Sequence, residues 1–360
     1  MRASRNLRVR LYCFPPTELY EPNGRPSGMT ISAGQLEADA PAVAPEEVSK
    51  ILGRSPWQIA RSRLRRDKVS MASIVIIVLF LLMAIAAPIL EKLNIIDPYS
   101  FNNPLVQAPG SMPTGAFGGI SSTHLLGVEP QTGRDLLSRL VSGVTLSMVI
   151  SISATALSIT IGTVLGIISG YMGKSVDFVI GRAIDLILAF PQLLMLLALS
   201  VVLIDKITSF GVPPGAPSRV VYLIVVLGFF GFPYFARIIR GQVLSLRERE
   251  FVEAARSLGA RNGRIWFTEL LPNLWAPILV YTTLILPTNV STEAALSFLG
   301  VGVPAPTPTL GNILTDSVTF LSADPTYFLL PGLFIFTFVL SCNLLGDGLR
   351  DALDPKSDRL

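Results

Sequence analysis

Glu253–Pro272, EAARSLGARNGRIWFTELLP, is a charged stretch set between two long apolar blocks. Just before it, Ser245 and Glu248 stand at the Ser-x-x-Glu spacing of a capping box. Glu248 and Glu250 would then lie in a first helical turn, where acids suit the positive helix end. Phe251, Ala255 and Leu258 fall on one face of that helix, and Arg249, Glu253 and Arg256 on the other. Gly259 follows as a stop, since a glycine just past a helix end takes the left-handed conformation cheaply. Arg261, Asn262 and Gly263 read as a turn, and Arg264–Leu271 as a second helical stretch ending at Pro272. The pattern predicts a short amphipathic helix lying across the ends of its neighbours. Small residues at Ala254 and Ala255 would let another surface approach closely. The same spacing also fits a loop helix packed only on its own bundle.

What flanks this stretch sets the class of protein. Half of the 360 residues are hydrophobic and 15% are charged, against about 25% charged in soluble domains. The apolar residues come in six blocks: Val69–Leu90, Val144–Tyr171, Val176–Ile204, Val220–Ala236, Ala276–Val301 and Tyr327–Leu345. Each is long enough to cross a hydrocarbon layer of about 30 Å. Lipid offers the backbone no hydrogen-bond partners, so each must be a helix. An all-α integral membrane protein with six transmembrane helices is expected.

Orientation follows from lysine and arginine, which concentrate on the cytoplasmic side. With the amino terminus inside, 23 of the 29 basic residues fall in inside segments. Lys92, Arg134, Arg139, Lys206 and Arg219 fall outside, and Arg182 lies within a block. Both termini and the loop 241–275 are therefore expected in the cytoplasm. The net charge of +4 is topological, and no soluble basic face suggests nucleic acid.

Residues 1–55 are rich in Pro, Ala, Glu and Ser without periodicity and read as a disordered cytoplasmic tail. No signal-type apolar core follows its arginines, and Met29 is an alternative start. Residues 56–68 alternate apolar side chains with Arg61, Arg63, Arg65 and Arg66, the pattern of a juxtamembrane interfacial helix or of plain topogenic charge. The extracytoplasmic loop 91–140 is too long for a simple connection. It either touches something outside the membrane or caps the spans. Cys13 and Cys342 make no disulfide framework, and the lone His124 makes no metal cluster.

On these residues the loop resembles the EAA loop of ABC-importer permeases. Glu253, Ala254, Ala255, Gly259, Leu271 and Pro272 fall on its pattern, and Glu269 stands where an aliphatic residue is usual. Further segments resemble the peptide and nickel branch, specifically the C-type subunit of dipeptide and oligopeptide importers. His124–Leu140, HLLGVEPQTGRDLLSRL, is similar to that branch's HLLGTDxxGRDxxSRL, with a small insertion around Pro130. Glu293–Gly302, EAALSFLGVG, and Asn343–Pro355, NLLGDGLRDALDP, are similar to its fifth-span and carboxyl-terminal signatures. Leu310 replaces a tryptophan usual before Gly311. The resemblance spans roughly residues 56–357.

The resemblance implies a type I ABC-importer permease fold, with a cytoplasmic coupling helix and a permease domain over 69–357. It implies a bacterial plasma (inner) membrane subunit that is not itself an enzyme. Its partners would be a homologous B-type permease, two cytoplasmic ATPase modules that bind ATP and Mg, and an extracytoplasmic solute-binding protein. The cargo would be oligopeptides or dipeptides, with nickel chelates, glutathione and opines as alternatives. Closure of the ATPase pair would move the coupling helix and rock the helix bundles as rigid bodies.

The residues themselves offer no engine. Gly170–Ser175 approaches a P-loop, but Ile168 stands where its first glycine is required. No nucleophile elbow, His-Glu-x-x-His pair or cysteine cluster is present. Charges within the spans are the remaining candidates. Glu293 and Asn289 on the fifth span, with Thr288, Ser291 and Ser297, suggest a polar path or a helix seam. Asn343 and Asp347 on the sixth share a face and could line an inner gate or bond across helices. Arg182 and Asp185 are spaced to pair on one helix, with Asp177 close by. Pro191, Pro233 and Pro287 are expected to bend their helices.

Overall fold

A computed structural model describes residues 56–107, 112–115 and 117–353, with side chains from residue 61 onward except at Gln107. The tail to residue 55 with Cys13, and Asp354 and Pro355 of the last motif, lie outside the described residues. Helix α1 (Pro56–Arg66) leads through Asp67 into α2 (Lys68–Lys92). Asp67 caps α2, accepting from the amides of Val69 and Ser70. A two-stranded antiparallel ribbon, β1 (Val106–Gln107) and β2 (Met112–Pro113), sits in the long loop. Then come α3 (Leu136–Met172), α4 (Lys174–Leu188), α5 (Gln192–Ser209), α6 (Ala216–Leu246) and α7 (Glu250–Ser257). The three-residue α8 (Asn262–Arg264) continues through a π turn (Ile265–Leu270) and a 3-10 turn (Leu271–Asn273). The chain ends with α9 (Trp275–Phe298), α10 (Leu310–Val318) and α11 (Pro325–Leu353).

Helices α2, α3, α5, α6 and α11 are each long and apolar enough to cross a membrane. The rod Asn262–Asn273 and α9, bent by 66° to one another, are together long and apolar enough to count as a sixth span. The third span is not the single helix expected over Val176–Ile204. It breaks at Ala189–Pro191, because proline cannot donate to the ladder and excludes helical geometry just before it. The apolar run that crosses is α5 alone, 18 residues or about 27 Å. Pro233 and Pro287 lie inside continuous helices. Helix α10, between the last two spans, corresponds to no apolar block.

Helices α3 and α6 share the most extensive helix–helix contact. Gly162, Gly166 and Gly170 recur every fourth residue of α3 and face α6. A Cβ at Gly166 would stand 2.8 Å from both the Ala236 carbonyl oxygen and Ile239 Cβ, and one at Gly170 2.8 Å from Val243 Cβ. Such small-residue stripes let helix backbones meet where lipid supplies no hydrophobic drive. Around this seam, Ile150, Ala154, Tyr222, Leu223 and Leu227 are buried. At the end bearing the long loop, Leu136, Leu140, Val144 and Met148 pack against Val290, Ile313, Phe338 and Cys342. Cys342 is thus a core residue. Large apolar side chains on α2, α5 and α11, such as Leu79, Val201 and Phe336, point outward, as a lipid-facing surface requires.

Candidate functional site

The candidate surface is α7 and the turn after it. Val252 is fully buried among Val243, Ile265, Leu270 and Leu274, with Phe251 and Ala255 partly covered beside it. This apolar foot seats α7 on the π turn Ile265–Leu270, in one buried cluster with the ends of α3, α6 and α9. Glu253, Ala254, Arg256, Leu258 and Gly259 are exposed. Leu258 was expected on the packed face but is 88% exposed. Val252 takes the inward position beside Phe251 and Ala255, and Leu258 is the C-cap, past the last helical residue Ser257. Ser245 and Glu248 form no capping box. Ser245 lies within α6, which runs on to Leu246, and Glu248 pairs with Arg247 at 2.8 Å. The N-cap of α7 is Arg249, without a side-chain cap.

The stop at Gly259 has the expected chemistry. Its φ is +77°, and its amide reaches the Arg256 carbonyl at 3.0 Å while the Ala260 amide reaches that of Ala255 at 3.0 Å. These are the paired bonds of a Schellman ending. A Cβ at 259 would meet nothing within 4 Å, so the space above the turn is open. Ala255, Leu258, Gly259, Arg261, Arg264 and Glu269 line a depression of about 400 Å³ there. Glu269, the departure from the family pattern, thus sits on its wall. Leu271 is half-buried and Pro272 exposed where the rod turns toward α9.

The four candidate path residues separate. Asn289 and Glu293 face α3 rather than an open passage. Asn289 Nδ2 donates to Thr155 Oγ1 at 2.9 Å. Glu293 is fully buried and accepts from three hydroxyls: Ser147 at 3.1 Å, Ser297 at 3.0 Å and Thr309 at 3.0 Å. Thr309 is the N-cap of α10, in a reciprocal capping box with Asn312. The Leu310 amide donates to Ser147 Oγ. Glu293 therefore fastens α9, α3 and the start of α10 together. Gly311 permits this, since a Cβ there would lie 2.9 Å from Glu293 Oε1. Thr288 and Ser291, by contrast, are exposed on the outer face of α9. Asn343 is half-buried and Asp347 exposed on α11, and neither bonds across helices among the described residues.

A test separates fastening from transport. Glu293→Leu strands three buried hydroxyls and is expected to cost about 2–4 kcal/mol, read as a lower melting temperature of the detergent-solubilised protein. Glu293→Gln keeps an acceptor and is expected to cost about 1 kcal/mol or less, with uptake near normal. Normal stability with abolished uptake in Glu293→Gln would instead assign the carboxylate to the translocation path.

Residues 162–359 match the family model described as binding-protein-dependent transport system inner membrane component. Residues 55–109 match the N-terminal TM domain of oligopeptide transport permease C. The chain belongs to this permease family. A dipeptide transport system permease protein, DppC, of Alkalihalophilus pseudofirmus is 38% identical over 84% of this chain and 90% of its own length. The oligopeptide transport system permease protein OppC of Bacillus subtilis is 37% identical over 86% and 93%. A glutathione transport system permease protein, GsiD, of Pectobacterium atrosepticum is 33% identical over 84% and 92%. An inward-facing MetNI methionine ABC transporter structure aligns at a TM-score of 0.48 with 18% identity, covering 61% of this chain and 98% of that one. The permease has the all-α, six-span membrane fold expected, and the family works with other permease and ATPase subunits.

In this permease the segment His124–Leu140 is a buried polar knot. Arg139 is completely buried, its Nε 2.7 Å from Glu129 Oε1, and its Nη1 donates to the Pro306 carbonyl at 3.2 Å. Glu129 also accepts from Tyr327 Oη on α11 at 2.9 Å and from Thr132 Oγ1 at 2.7 Å. Arg134 lies over the Phe101 ring, 4.4 Å from its centre. Asp135 caps α3, accepting from the Ser138 amide, with His124 Nδ1 3.0 Å away. Gly127 has φ +81°, and a Cβ there would collide with the Gly118 carbonyl oxygen at 2.3 Å. Earlier in the loop, the Ser100 hydroxyl and the Tyr99 and Ser100 amides hold the Asp97 carboxyl below the usual carboxylate range. Sequence reading found the motif but not its role. The signal was a Glu and two Arg within eleven residues at a span's end, an unlikely place for unpaired charge.

The other charged cluster corrects an expectation. Asp185 pairs with Arg237 on α6, not with Arg182 on its own helix. Asp177 receives both Nε and Nη2 of Arg240, at 2.5 and 2.7 Å, and Ser169 Oγ. The break at Pro191 frees α4 to lie along the end of α6, and cross-helix arginines then reach its acids first.

Proposed function

We propose that this chain is one of two permease subunits of an ATP-driven importer of oligopeptides or dipeptides. The observation that carries the reading is α7. Its apolar foot is locked into the bundle, while Glu253, Ala254, Leu258 and Gly259 stand exposed around an open depression. A surface so held transmits displacement to three spans at once. The relatives at 38% and 37% identity bear dipeptide and oligopeptide transport names, which supports the cargo class. The basic-residue asymmetry supports cytoplasmic termini and a cytoplasmic α7 in the bacterial inner membrane. A homologous B-type permease would complete the path. Two ATPase modules would bind ATP and Mg and grip α7, and a solute-binding protein would deliver cargo outside. A glutathione cargo is the second reading, favoured by the 33% relative.

Reconstitution tests this directly. The chain and its co-purifying subunits, placed in liposomes, are expected to accumulate labelled di- or oligopeptides only with ATP inside the ATPase-facing compartment. Preference for glutathione over peptides would select the second reading. Ion-gradient-driven uptake by this chain alone would overturn both.

A further inference from the structure

The depression of about 400 Å³ beside Gly259 stands open and carries an unbalanced charge. Two arginines, Arg261 and Arg264, and one acid, Glu269, line it. Both arginines are exposed. Arg261 is the N-cap of α8 and Arg264 its last residue, three positions on. Side chains so spaced on a helical turn are neighbours. A Cβ at Gly263, between them, would meet nothing within 4 Å, so the approach to the pair is clear. Neither guanidinium has an ion pair or hydrogen bond among the described residues, and Glu269 pairs with neither. Arg237 and Arg240 of α6, and Arg247 just past it, are by contrast each paired with an acid.

Two adjacent guanidinium groups without partners present forks of donors that match a carboxylate. The surrounding charge narrows the class of molecule that brings it. Glu250 and Glu253 stand exposed on α7, and Glu269 lies in the wall itself. An anionic lipid surface would be repelled by these acids as well as drawn by the arginines. A protein can set its own charges one by one against such a mixed pattern. Leu258, almost wholly exposed at the rim, adds apolar area for that protein to cover.

We infer that Arg261 and Arg264 form a socket for an aspartate or glutamate side chain of the ATPase subunit seated on α7. The inference rests on the importer reading above and names the chemistry of its grip. Continuity ties the socket to that partner. Ala255 belongs to α7, Leu258 and Gly259 to its stop, and all three also line the depression, so a surface that covers α7 covers the socket. The arginines stand at the head of the rod that leads into α9. Contact with α7 alone lets the ATPase push. An ion pair also resists separation, so the ATPase would draw the rod back when it opens.

The test uses the whole transporter with its ATPase subunits in lipid nanodiscs. Arg261→Glu combined with Arg264→Glu is expected to lower ATPase-subunit affinity about tenfold or more, while the permease itself melts as the parent does. Arg261→Lys and Arg264→Lys each keep the charge and supply an amine. A carbodiimide joins an amine only to a carboxylate in direct contact, and should link each of these variants to an Asp or Glu of the ATPase subunit. Changing that acid to arginine should restore binding to the doubly reversed permease. Affinity within about twofold of the parent in the double variant, or links that are absent or confined to this chain, would overturn the inference. Affinity losses that track the anionic-lipid content of the nanodisc would assign the socket to lipid and overturn it as well. If the double variant does not accumulate in membranes, Arg261→Ser with Arg264→Ser and the links decide by the same criteria. An unmodified transporter that holds no ATPase subunit, or imports nothing with ATP, would count against the importer reading instead.

Discussion

Replacing Arg139 with alanine is expected to destabilise the permease by about 3–5 kcal/mol, the range found when one partner of a buried ion pair is removed. Arg139 has no exposed surface and stands 2.7 Å from Glu129, which is itself nearly buried. Its loss would strand a carboxylate that now ties the long loop to α3 and α11. It would also release the Pro306 carbonyl and with it the approach to α10. The melting temperature of the solubilised protein and its yield in membranes should both fall sharply. Arg139→Leu combined with Glu129→Leu should recover much of the loss, because no charge is then left unpaired. A single Arg139→Ala variant that melts within a degree of the parent would show that the knot contributes little.

The second large effect concerns coupling and should leave the fold intact. Glu253 and Gly259 are exposed, and a side chain at 259 meets only open space. Gly259→Leu therefore costs the isolated subunit about 1–2 kcal/mol of backbone strain in the left-handed region. Glu253→Arg costs it little. Both place bulk or reversed charge on the surface proposed to seat the ATPase. Uptake by the assembled transporter is expected to drop more than tenfold, with ATP hydrolysis uncoupled from transport or the complex unassembled. Membrane insertion and melting of the permease itself should change little. Uptake at the parent rate would show that α7 is not the coupling element.

How far sequence reached depends on the range of the physics involved. The six apolar blocks, the helical stop at Gly259 and the Glu253–Pro272 pattern are local. Backbone desolvation in lipid and the left-handed freedom of glycine act wherever they occur. Helix ends were less legible. Ser245 and Glu248 have capping-box spacing, yet α6 runs past Ser245 to Leu246, because Val243 and Leu246 find apolar neighbours among Val252, Ile265 and Leu270. A continuing helix does not need a cap. Leu258 is displayed because α7 stops at Ser257, and the helical period alone does not fix where a short helix ends.

By itself the sequence determined a six-span membrane protein, its family, and which loop is displayed. Each follows from composition or from motifs read in order along the chain. Only the tertiary structure decided where the polar groups go. Glu293, Asn289, Asp177, Asp185 and Glu129 all bond to residues between 52 and 198 positions away for their longest-range partners, or to helices brought beside them by packing. In a low-dielectric interior a buried charge takes whichever partner the fold carries to it. The glycine ladder of α3 sets how near α6 comes, and the break at Pro191 sets where α4 lies. Those two placements choose Arg240 for Asp177 and Arg237 for Asp185.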